Sequence, residues 1–118
     1  MTEARPAAPD LLAEVATLLR ERVLPTLDGE LRFQVLVACT VLAQVQRELT
    51  LGPEQQAAER ARLVELLGHE GELDDLNREL AKKIREGAAL DEARLLAHLR
   101  ATADAALAIN NPKWMADR

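Results

Sequence analysis

A chain of 118 residues with 15 basic and 20 acidic side chains is long enough for one packed domain. Its net charge of −5 excludes a general positive field that would hold it to phosphate backbones or anionic lipid. Hydrophobic residues at 48% and charged residues at 30% exclude a disordered chain, and aromatics at 2% leave a core of Leu, Val, Ile and Ala.

Much Ala, Leu, Glu and Arg with few β-branched and aromatic residues favours helix throughout. The expected fold is all-α: a five-helix, mostly antiparallel bundle around a central apolar helix at about 28–51, forming one domain over 1–118. Residues 1–8 are a lead-in that Pro6 and Pro9 keep from an early helix, and 112–118 are an irregular tail. The start, MTEARPAAPD, lacks the apolar block of a signal peptide.

The first helix begins near Pro9–Asp10, because proline suits a first turn and an acid meets the positive end of the dipole. Leu11, Leu12, Val15, Leu18, Leu19 and Val23 recur at three- and four-residue steps, and Pro25 ends the helix. The second helix follows the Asp28-Gly29 corner. No charged side chain lies between Phe33 and Gln46. Leu31, Val35, Ala38, Leu42, Val45 and Leu49 make a seam; Leu36, Cys39 and Ala43 make a second face, and Val37 with Val41 a third. A helix apolar nearly all round is expected at the centre, stopped by Gly52-Pro53. Its uncharged block falls short of the ~20 residues that span a bilayer, so no membrane segment is expected.

The third helix runs from Pro53 to Leu67 with Ala57, Ala61, Val64 and Leu67 inward, flanked by Leu63 and Leu66. Gly68-His69-Glu70-Gly71 is a turn. A fourth helix, about 72–86, carries the stripe Leu73, Leu76, Leu80, Ile84, with Asp74–Arg78 and Glu79–Lys83 at pairing distance. Asp91 caps a fifth helix running to about Ile109, whose inner side holds Leu95, Leu96, Leu99 and Thr102. Asn110-Asn111-Pro112 stops it.

Chemistry is sparse. The chain has no serine, and its one thiol, Cys39, lies in the most apolar stretch, where it behaves as a buried hydrophobe. That single cysteine permits no internal disulfide and suits a reducing cytoplasm. No Glu-x-x-His occurs, so neither a di-iron site nor another metal site is expected. The glycines are spaced as helix stops, not as a phosphate loop, and no cofactor is expected. The fourth helix balances its bases with acids, a poor DNA reader. Four residues remain as partner or ligand contacts: Arg47 and Glu48 where the apolar helix meets solvent, His98 for its near-neutral pKa, and Trp114 as an aromatic anchor. No catalytic constellation is present, so an enzyme is not expected.

The order of segments carries a resemblance. Arg5-Pro6, Arg47-Glu48-Leu49, Gly52-Pro53 and Asn111-Pro112 resemble the pattern of an uncharacterised family of small bacterial proteins over nearly the whole chain. Where that family often shows Ala-Asn in the central helix, this chain has Cys39-Thr40. Members of the family are found beside, or fused to, aminoglycoside-phosphotransferase-like kinases, and near acyl-CoA dehydrogenases. The resemblance implies a non-catalytic accessory domain for such a kinase; a cytoplasmic interaction domain that binds this partner and also itself is the expected function. The alternative is a bundle that holds an acyl or similarly apolar ligand beside the central helix, in a cavity lined by Val37 and Val41 with Arg47 near its mouth.

Overall fold

The computed structural model describes residues 7–116, which form five α-helices with no strand among them. They are α1 Ala8–Leu18, α2 Gly29–Leu67, α3 Leu73–Glu86, α4 Glu92–Asn110 and α5 Pro112–Ala116. The all-α class and the number of helices match the expectation, but the helices divide the chain differently. Gly52-Pro53 does not stop the second helix: α2 runs for 39 residues with Pro53 inside it. A glycine stop needs a left-handed backbone. Gly29, Gly68 and Gly87 take positive φ, and Gly52 does not. Pro53 then costs one helical hydrogen bond, and the strong helix formers on both sides carry the helix through. The tail expected to be irregular forms the short α5. Arg5-Pro6 lies outside the described residues.

Pro25 acts as expected on the first helix, with added detail. α1 widens into a π-turn at Leu19–Val23 and tightens into a 3-10 turn at Leu24–Thr26. A proline ring clashes with the carbonyl four residues back, here Glu21, and the wider turn makes room for it. Thr26 donates to the Val23 carbonyl at 2.7 Å, and Arg32 donates to the Leu24 carbonyl at 3.3 Å.

The chain splits into two compact units, Met1–Gly52 and Pro53–Arg118. In the N-terminal unit Cys39 is fully buried, as expected. The seam through Leu31 and Leu49 is not closed: these two are 55% and 45% exposed, while Val35 and Leu42 are half-buried. The second and third faces are also open at Leu36, Val37 and Val41.

The C-terminal unit contains a conventional core. Leu63, Leu76 and Leu80 are its buried centre, and Val64, Leu67, Leu73, Leu90 and Leu95 pack against them. The α3 stripe holds at Leu76 and Leu80 but not at Ile84, which is exposed. On the second half of α2 the inward face is rotated from the expected one. Ala57 and Ala61 are exposed, Leu63 is fully buried, and Gln55, Glu59 and Arg62 are half-buried. Alanine gains little from burial, so it yields the inner face to leucine and to polar groups with partners. α4 is rotated likewise: Leu96 and Leu99 face out and His98 is buried.

The ends of α3 and α4 are set by local chemistry. Gly87, at φ 68°, donates to the Ile84 carbonyl while Ala88 donates to that of Lys83, a left-handed cap only glycine adopts without strain. Asp91 caps α4 as expected, its Oδ1 accepting the Arg94 N–H at 3.1 Å. Asp91→Ala is expected to lower unfolding free energy by about 1 kcal/mol, and Asp91→Asn by much less, measured by urea denaturation.

Candidate functional site

One group of polar side chains converges across helices, and it lies in the C-terminal unit. Glu59 and Arg62, one turn apart, come from α2; Asn77 comes from α3; His98 and Thr102, also one turn apart, come from α4. Arg62 Nε donates to His98 Nδ1 at 3.0 Å, and its Nη2 donates to Thr102 Oγ1 at 3.2 Å. Asn77 Nδ2 donates to Glu59 Oε2 at 3.1 Å. Nearby, Gln55 Nε2 donates to the Ala105 carbonyl of α4 at 3.1 Å.

The tautomer of His98 follows from its partner. A guanidinium only donates, so Nδ1 must accept and the ring proton sits on Nε2. The ring is therefore neutral. Burial lowers its pKa from 6.5, the Arg62 charge lowers it further, and Glu59 opposes both. The side chain is 3% exposed and its one basic lone pair is taken by Arg62. A general base needs a free lone pair within reach of a substrate proton, and this nitrogen offers none. The cluster serves to join three helices and to fix their rotation.

A second polar set closes the turn between α2 and α3. Arg60 Nε donates to the Gly71 carbonyl at 2.7 Å, and Arg60 Nη2 pairs with Glu70 at 3.0 Å. Both nitrogens of His69 face oxygens, the Glu70 carbonyl at 2.8 Å and Glu79 Oε1 at 2.7 Å. Two acceptors are best met by an imidazolium, and these bonds raise the His69 pKa, the Glu70 carbonyl contributing most. Glu79 is thus committed to His69 in place of the expected Lys83, and Arg78 pairs with Asp75 at 3.0 Å in place of Asp74.

The four residues singled out from the sequence fall in different places. Arg47 is half-buried and Glu48 exposed, both in the N-terminal unit. His98 is buried in the C-terminal unit as part of the cluster, and Trp114 is 57% exposed on α5. Glu59, Arg62 and Asn77 were missed. The available signal was His98 and Thr102, four apart on a face expected to be apolar, which together demand a donor from a neighbouring helix.

Among the described residues no group of three or more His, Cys, Asp or Glu side chains is placed to hold a metal ion, and no helix is long and apolar enough to cross a membrane. Apolar surface stands out instead. On α4, Ala93, Leu96, Ala97 and Ala101 line a shallow groove edged by Arg100 and Asp104. The family model described as Domain of unknown function (DUF6285) matches residues 25–114. No curated protein and no solved structure matches the chain.

Proposed function

We propose that this chain, which belongs to the DUF6285 family, is a non-catalytic interaction domain of the bacterial cytoplasm. Its partner on this reading is a phosphotransferase-like kinase of acyl-CoA-related metabolism, the setting that the sequence resemblance suggests. The kinase chemistry belongs to that partner.

The observation that carries the reading is the outward apolar surface of the C-terminal unit. Leu96 is 61% exposed, Leu99 45% and Trp114 57%, in a unit whose core leucines Leu63, Leu76 and Leu80 are buried. Large apolar side chains held at the surface of a folded scaffold, with a polar rim of Arg100 and Asp104, have the make-up of an interface patch. The polar cluster supports this by holding α4 in the rotation that turns Leu96 and Leu99 out and His98 in. A ligand-enclosing bundle is less well supported, because Val37 and Val41 are 46% and 51% exposed.

Co-expression with the kinase-like protein tests the proposal. The two are expected to co-purify, and Trp114 fluorescence to change on mixing. Leu96→Asp and Trp114→Ala, at exposed positions, are each expected to weaken the complex by about ten-fold or more with helical circular dichroism unchanged. Separate elution with unaltered fluorescence refutes the partnership.

A further inference from the structure

The N-terminal unit has an apolar surface that its own residues do not cover. Among its described residues, Leu24 and Cys39 are the hydrophobic side chains that are buried. A unit of this length needs most of its large apolar side chains inside, or else a covering surface. Yet Leu31, Phe33, Val37, Val41, Val45 and Leu49, all on α2, are 38–65% exposed. Of these, Leu31, Val41, Val45 and Leu49 share one side of the helix and together present roughly 300 Å² of apolar side chain, before the intervening Gln34 and Ala38 are counted, while Phe33 and Val37 lie farther round it. That is on the scale of the largest patch on a typical monomer, roughly 300–600 Å².

We propose that this face of α2 is covered by the same face of a second copy. Two features favour a copy over another occupant. The first is charge. The helix carries none from Phe33 to Gln46, so two chains of net charge −5 meet there without burying a charge or opposing like ones. A charged peptide or nucleic acid finds nothing on this face to pair with. The second is symmetry. Leu31 and Val45 each stand seven residues from Ala38, on one stripe of the helix. Two antiparallel helices crossing at Ala38 set small side chains together at the axis, where backbones approach, and place Leu31 of each copy against Val45 of the other. A two-fold interface requires such a self-complementary patch. This face uses none of Leu96, Leu99 or Trp114, and its test does not depend on the kinase-like partner.

Light scattering on the eluting full chain is expected to give twice the 13.0 kDa of one chain at micromolar concentration. Leu31→Lys and Val45→Glu, each at an exposed position, are each expected to yield monomer with helical circular dichroism retained. An equimolar mixture of the two variants is expected to recover the double mass, because lysine then faces glutamate. A wild-type mass of one chain at ~100 μM overturns the proposal, as does a dimer that both variants leave intact. Should either variant fail to fold, Ala38→Cys in a Cys39→Ala chain decides the matter by oxidation. A covalent dimer formed in high yield supports the crossing at residue 38, and its absence overturns it.

Discussion

Leu76→Ala is expected to remove roughly 2–5 kcal/mol of unfolding free energy, a large share of the ~5–15 kcal/mol typical of a domain. Leu76 is 1% exposed and packs with Leu63 and Leu80, which are 0% and 4% exposed. The loss should fall toward the upper part of the range, because the site has little room to collapse. The turn backbone lies directly over this side chain: a Cβ at Gly71 would stand 3.1 Å from Leu76 Cδ2. That backbone is in turn held by Arg60 at the Gly71 carbonyl. Leu96→Ala, at a residue 61% exposed, should change stability by less than about 0.5 kcal/mol. Urea denaturation followed at 222 nm compares the two; equal losses would contradict the placement of the core in the C-terminal unit.

Arg62→Met is expected to cost about 1–3 kcal/mol near neutral pH, and its effect should depend on pH. Methionine keeps the aliphatic bulk but leaves His98 Nδ1 and Thr102 Oγ1 without the donor that each has in the native unit. The linkage follows from the direction of the His98 shift. Its folded pKa lies below 6.5, so between 6.5 and that lower value the unfolded chain binds more protons. Stability from His98 is complete above pH 6.5 and is lost as pH falls through the window. Removing the Arg62 charge leaves Glu59 favouring the protonated ring, so the folded pKa should rise and the acid-side loss should shrink. His69 acts in the opposite window. Its folded pKa is raised, so its contribution is complete below 6.5 and is lost as pH rises through the folded value. NMR titration of the two imidazoles in wild type and Arg62→Met separates them: His98 should move up and His69 should stay. A His98 pKa unmoved by the substitution would contradict the contact.

Much of the helical content was legible in the sequence because it rests on local signals. Asp91 as a cap, Pro25 as an end and the Leu76–Leu80 stripe depend on residues a turn or two apart. Two kinds of feature were not legible. Gly52-Pro53 has the residues of a stop, but whether glycine turns left-handed is a backbone choice that composition does not decide. The rotation of α2 and α4 about their axes is hidden in the sequence for a different reason. Counting apolar residues set Ala57, Ala61 and Leu96 inward, while the inner face is shared by Leu63 with Glu59, Arg62 and His98. Charged groups can occupy that face only because partners on two other helices neutralise the cost of burying them, and a pairing across 36 residues leaves no periodic trace. Of the four residues proposed for contact, only His98 belongs to the cluster, and there it is structural. Trp114 remains a surface residue available to a partner.

The division of the chain at Gly52–Pro53 bears on how its unfolding reads out. The sole tryptophan lies on α5, in the unit that owns the Leu63–Leu76–Leu80 core, whereas far-ultraviolet ellipticity sums helices from both sides of the proline. Fluorescence and ellipticity therefore sample different populations whenever one unit opens before the other, and coincident transitions would mean that the two melt as a single cooperative block.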